Sequence, residues 1–265
     1  MTPNPLTPRQ VQALRDLKGA WPDVQQVVVG AAGLGFHLEM TWRKTNDLDL
    51  AVAIPVAQFP AGLEKLDGWT RDERYEHAWT APGNIEIDIL PVGAPQLASG
   101  KLVWPKSGDE LNVVGYRHVY ERAVTAPVAA DFTVQVAPVP VIVLLKMAAY
   151  LDRPAERDRD LTDIGYAMEE YLADAEDRRF AEEFFTLDLS YEQAPPYWLG
   201  RDLGALLNEP ERLLARRFLG LVRDDGTVAH NRMVRLGPAA WRRESETLLS
   251  RLAALAQGLE REVKK

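Results

Sequence analysis

Residues 43–50 read RKTNDLDL and run on into AVAI, with Pro55 closing the stretch. Residues 48–54, LDLAVAI, are apolar enough for an interior strand, yet two aspartates stand at its opening with one leucine between them. On a strand, residues two apart point to the same face, so Asp47 and Asp49 project side by side. Two like charges that close repel unless something positive lies between them. A divalent cation supplies that charge, and Mg²⁺ takes one or two carboxylates together with phosphate oxygens. A bare D-x-D is equally at home on a solvated turn, so the pair needs corroboration elsewhere in the chain.

A third carboxylate provides it. In IEIDIL, residues 85–90, the isoleucines share one face while Glu86, Asp88 and Leu90 share the other. A strand this apolar belongs inside a sheet, where its acids need a partner. If it neighbours the Asp47/Asp49 strand, three carboxylates converge on one metal cluster. Such a cluster suits in-line phosphoryl or nucleotidyl transfer, one ion activating the attacking oxygen and another steadying the leaving pyrophosphate. Glu86 and Asp88 face the same way, and the sequence leaves the choice between them open.

Around these stretches, Thr7-Pro8 has the form of an N-cap and first helical residue, opening a helix through about Lys18. Residues 24–30, VQQVVVG, are expected to form a central strand, 31–40 a helix, and 132–136 a further strand. Strands interleaved with helices predict an α/β (α+β) layer built on a mixed sheet with flanking helices. Beyond Pro138 the pattern turns helical, over residues 141–151, 156–172, 175–185, 203–222 and 238–259. The expected division is an α/β domain over 1–137 and a helical domain over 138–265 that completes a cleft.

Lys146 sits among apolar helical neighbours in VIVLLKMAAY, where it either snorkels to solvent or meets an anion, a triphosphate being the functional choice. Asp160 and Asp163 lie three apart beside the stripe Leu161, Ile164, Met168. They pair with Arg157 or Arg159, hold Lys146, or act as a general base.

Composition removes other chemistries. The chain has no cysteine, and its four histidines are scattered without ligand spacing. There is no G-x-x-x-x-G-K-[ST] and no G-x-S-x-G, and Gly33-x-Gly35 lacks a third glycine. The N-terminus has no signal-peptide pattern and the apolar runs are too short to span a bilayer, so a cytoplasmic protein is expected. A net charge of −8 disfavours non-specific nucleic-acid binding over the whole surface. Residues 211–251, however, hold 9 arginines against 5 acids. They form either a solvated helical face or a path for an anionic substrate.

Taken together, these residues resemble the nucleotidyltransferase superfamily, and more closely the AbiEii/AbiGii family of type IV toxin–antitoxin toxins. The likeness rests on Gly30-Ala31, then Arg43, Thr45, Asp47 and Asp49, then Asp88, then Lys146 and Arg159-Asp160-Leu161-Thr162-Asp163. It implies Asp47, Asp49 and Asp88 as ligands of Mg²⁺ or Mn²⁺, with Gly30, Ala31, Arg43, Thr45 and Lys146 around an NTP. Asp160 or Asp163 would be base or lysine anchor. It further implies transfer of NMP to a hydroxyl of RNA such as tRNA, and a cognate antitoxin. The family usually opens with Gly-Ser or Gly-Gly, and Ala31 lacks the hydroxyl such a serine would offer the phosphates. Two rivals follow: a non-catalytic nucleotide- or partner-binding module on the same fold, and a nucleotidyltransferase acting on a small molecule such as an antibiotic.

Overall fold

Thr7 opens α1 (Pro8–Ala20) by accepting a hydrogen bond from the Gln10 amide, while the Gln10 side chain bonds back to Thr7. In the computed structural model, which describes residues 4–42, 45–172, 176–243 and 245–261, the chain forms two compact units, Met1–Pro138 and Val139–Lys265. The first continues with β1 (Gln26–Val29), α2 (Gly30–Gly35), β2 (Leu48–Val52), β3 (Thr70–Arg71), β4 (Ala78–Ala81) and β5 (Ile85–Pro91). Then come α3 (Ala94–Ser99), β6 (Lys101–Val103), β7 (Glu110–Asn112), α4 (Tyr116–Glu121), β8 (Val124–Ala129) and β9 (Phe132–Val136).

Seven strands form one sheet in the order β3-β4-β5-β2-β1-β9-β8, and β6 pairs with β7 separately. The sheet is mixed: β2 is antiparallel to β1 and parallel to β5, and β1 is parallel to β9. Helices α1, α2 and α4 pack against β5, β1 and β2, so the expected mixed α/β sheet with flanking helices is what the chain builds. Period-two alternation sorts the central strands. Leu48, Leu50, Ile87 and Ile89 are at most 1% exposed on one face, and Asp49 and Asp88 lie half-buried on the other.

The helix expected over 31–40 ends early, at Gly35. Glycines at 33 and 35 each cost about 1 kcal/mol relative to alanine in a helix. The chain leaves through tight bonds from the Phe36 amide to the Gly33 carbonyl and from His37 to Leu34. Strands β3, β4, β6, β7 and β8 lie outside the stretches expected to form strands. In β8 the motif VTAPVA carries Pro127, which argues against a strand except at an edge or bulge. β8 is an edge strand, and its register shifts between Pro127 and Ala129.

The second unit is helical: α5 (Val139–Asp152), α6 (Asp158–Glu170), α7 (Glu182–Phe185), α8 (Ala194–Leu206), α9 (Glu209–Arg223), α10 (Val228–Leu236), α11 (Ala239–Arg243) and α12 (Ser245–Glu260). α5 is apolar all round, as a helix buried on every side must be, and Val141, Ile142, Val143, Leu144 and Met147 are 0% exposed. The helix expected over 175–185 is a 3₁₀ segment, Glu176–Phe180, followed by α7, and Ala175 lies outside the described residues. The one expected over 203–222 is two helices, because Asn208 caps α9 in a reciprocal box with Glu211. That over 238–259 divides into α11 and α12, with Glu244 outside the described residues. Helices α8 and α12 meet backbone to backbone. A Cβ on Gly200 would lie 2.1 Å from the Leu255 carbonyl oxygen, and one on Gly258 2.0 Å from that of Tyr197. Among the described residues no helix is long and apolar enough to cross a membrane.

Candidate active site

Strand pairing brings the glycine turn and the acids together. Val29, the last residue of β1, is the antiparallel partner of Asp49. The chain therefore turns into α2 directly beside that carboxylate. Gly30 makes the turn with φ +61°, in the left-handed region. A Cβ there would stand 1.9 Å from Asp49 Oδ2, 2.6 Å from its Cγ and 2.9 Å from its Cβ. Rotating the carboxylate away does not relieve the last of these contacts, so the backbone itself must shift. Gly30→Ala is expected to lose about 2 kcal/mol of unfolding free energy from the left-handed conformation and the displaced neighbour, read from a urea titration. A wild-type midpoint would show that the turn accommodates a side chain.

Asp49 is level with Asp88 on the adjacent parallel strand, so the two side chains share a face. Ala78 and Val29 are the partners on either side, giving the row Ala78, Asp88, Asp49, Val29. Neither flanking residue carries charge. Asp88 is half-buried, whereas Glu86 is exposed and precedes the first β5 residue paired to β2. Geometry thus sets Asp88, not Glu86, beside Asp49. Asp47 is half-buried just before β2, and its carboxylate accepts a hydrogen bond from the Thr45 hydroxyl. That bond directs Thr45 at the acid. Ala31 is 2% exposed, and Arg43 lies outside the described residues.

The donor set is all carboxylate oxygen, the chemistry that hard divalent cations take. Among the described residues no three His, Asp or Glu side chains form a ready-made metal cage. Mg²⁺ does not need one, since it is held by one or two carboxylates with substrate phosphates and water. The Asp49/Asp88 pair, against a turn that a single Cβ would fill, fits such an ion.

The second cluster belongs to the helical unit. Lys146 on α5 is 7% exposed, so it does not snorkel. Its Nζ lies 2.8 Å from Asp160 Oδ1 and 2.8 Å from Asp163 Oδ2, both on α6. Asp163 is fully buried. Burial alone would push the ammonium pKa down, but the two carboxylates outweigh it and raise it above the ordinary lysine range. One positive charge against two negative leaves the trio at −1, and Asp160 Oδ2 is buried without a hydrogen-bond partner among the described residues. The anchoring alternative for Asp160 and Asp163 matches this arrangement more closely than pairing with Arg157 or Arg159.

The arginine-rich stretch is largely committed to structure. Arg212 donates to the Gly204 and Leu259 carbonyls, Arg216 pairs with Glu260, Arg232 with Asp158 and Arg251 with Glu169. These contacts favour the solvated structural face over a path for an anionic acceptor. Sequence reasoning missed Gln10, whose Nε2 donates to the Asn46 carbonyl at 3.1 Å. The spacing T-x-x-Q is a capping-box signature that could have marked its acceptor end, but nothing in the pattern marks this donor.

A search of curated proteins finds no match to the chain. The family model described as nucleotidyl transferase AbiEii toxin, type IV TA system, matches residues 23–225, which take in the glycine turn, all three aspartates and the lysine cluster. The chain therefore belongs to the AbiEii family of nucleotidyl transferase toxins of type IV toxin–antitoxin systems.

Proposed function

We propose that this chain transfers NMP from an NTP to a hydroxyl of an RNA acceptor such as tRNA, in the cytoplasm, as a toxin restrained by a cognate antitoxin. The observation that carries the reading is the level pair Asp49/Asp88, on adjacent central strands against the left-handed Gly30 turn. Asp47, Asp49 and Asp88 would hold Mg²⁺ or Mn²⁺, which when bound offsets phosphate charge and favours attack on the α-phosphorus. The acceptor hydroxyl releases its proton to solvent as its oxygen bonds to that phosphorus, and the phosphorus–oxygen bond to the leaving pyrophosphate breaks. The protein's own part is placement. Thr45 orients Asp47, and the bare turn at Gly30 lets backbone come close to the carboxylates and to a bound nucleotide. Arg43 is assigned to the phosphates on the family pattern. Asp160 and Asp163 are assigned as anchors that fix the Lys146 ammonium, which keeps its charge at every physiological pH.

Incubating the protein with Mg²⁺, total RNA and each α-labelled NTP in turn tests this, label moving into RNA being the expected result. The buried Ala31 methyl, where the family usually has serine or glycine, favours the rival of a binding module without turnover. Nucleotide binding with no transfer to any acceptor would establish that rival, and transfer only to a small hydroxylated compound would establish the third reading.

A further inference from the structure

Gln10 does two things with one side chain. Its Oε1 accepts from the Thr7 amide at 2.8 Å and the Thr7 hydroxyl at 3.0 Å, which completes the α1 capping box. Its Nε2 donates to the carbonyl of Asn46 at 3.1 Å. The residue is 4% exposed, so these bonds are made away from competing water. Asn46 immediately precedes Asp47, whose carboxylate takes the Thr45 hydroxyl. A buried amide that grips the backbone next to an acid limits where that acid can stand.

From this we infer that Gln10 is a positioning residue for the acidic loop: its Nε2–H holds Asn46, and so sets Asp47 for cation binding beside Asp49. The inference rests on the carboxylate reading of the site proposed above. Groups that orient metal ligands from behind typically change metal affinity by 10- to 100-fold when removed.

Gln10→Glu separates the two roles. Glutamate fills the same volume and is itself a preferred capping-box residue at this position, so the cap survives. Only the donor to Asn46 is lost, and an acceptor is left facing an acceptor. The added negative charge would by itself tighten cation binding, so a weakening has the sign of lost positioning. Thr7→Ala is the complementary control, since it removes the cap hydroxyl and leaves the Asn46 contact in place.

Two readouts are taken on the full chain with folding checked by circular dichroism: hydrogen exchange of the backbone amides of residues 45–49, and Mn²⁺ affinity by electron paramagnetic resonance. Gln10→Glu is expected to speed exchange roughly fivefold, the net worth of one hydrogen bond, and to weaken Mn²⁺ about tenfold. Thr7→Ala should do neither. Unchanged exchange in Gln10→Glu, or equal loosening in Thr7→Ala, overturns the assignment. If Mn²⁺ binding is the same in the wild-type chain and in Asp49→Asn, the carboxylate reading falls, and exchange, which needs no metal, still decides the role of Gln10.

Discussion

Asp49→Asn is expected to lower nucleotidyl transfer by about three orders of magnitude while leaving the fold intact. Asparagine keeps the shape of the side chain over Gly30, where alanine would open a gap against the turn. What it removes is the negative charge beside Asp88 on the neighbouring strand. A bound cation is worth several kcal/mol to phosphoryl-type transition states, and a thousandfold in rate is about 4 kcal/mol. Asp88→Asn should fall by a similar factor. Glu86→Gln should retain most of the rate, because Glu86 is exposed and lies outside the row that contains the pair. Growth inhibition on expression reads the same chemistry in cells. Persistent toxicity of folded Asp49→Asn, or equal losses in Glu86→Gln and Asp88→Asn, would remove these carboxylates from the mechanism.

Asp49 and Asp88 were legible in the sequence because each sits in a strand whose alternation assigns it a face, whereas Asp47, expected on the same strand as Asp49, lies just before it. IEIDIL and LDLAVAI give period-two patterns that hold whichever strands are neighbours. What they could not give is register, since whether Glu86 or Asp88 is level with Asp49 depends on a pairing between residues about forty apart. Lys146 was legible as an anomaly, a cation in a helix with no polar face, but its partners were a matter of tertiary packing. Pro127 in β8 and the glycines of α2 are local signals that tertiary context decided, at an edge bulge and by a short helix. Asn208-x-x-Glu211 was a visible N-cap within what read as one continuous helix. The arginines of residues 211–251 show the limit of counting charge. Their count is unchanged by folding, yet Arg212, Arg216, Arg232 and Arg251 are all spent on carbonyls and acids of the same unit. The donor end of Gln10 is a contact across 36 residues, and no local pattern encodes it.

Lys146→Met should cost about 3–5 kcal/mol of unfolding free energy, the usual effect of removing one partner from a buried ion pair. Methionine approximates the length and volume of the stem, so packing along α5 survives, while Asp160 and Asp163 lose the cation that both contact at 2.8 Å. In the wild-type chain the lysine pKa is raised on folding. Its contribution is therefore fully present below the unfolded value, about 10.4, and is lost only as pH climbs through the folded one. The variant has the opposite concern. Two adjacent buried carboxylates without a cation bind protons more tightly than they do unfolded, so its stability should rise as the pH falls from about 7 toward 5. Adding Asp160→Asn and Asp163→Asn to Lys146→Met removes the uncompensated charge, and most of the loss should return. Urea titrations of the single and triple variants at two pH values decide it. A lysine needed chiefly by a triphosphate would raise KM on substitution and leave stability where it was. A wild-type urea midpoint for Lys146→Met, or a triple variant no more stable than the single, would mean that the two aspartates do not depend on this ammonium for their place in the fold.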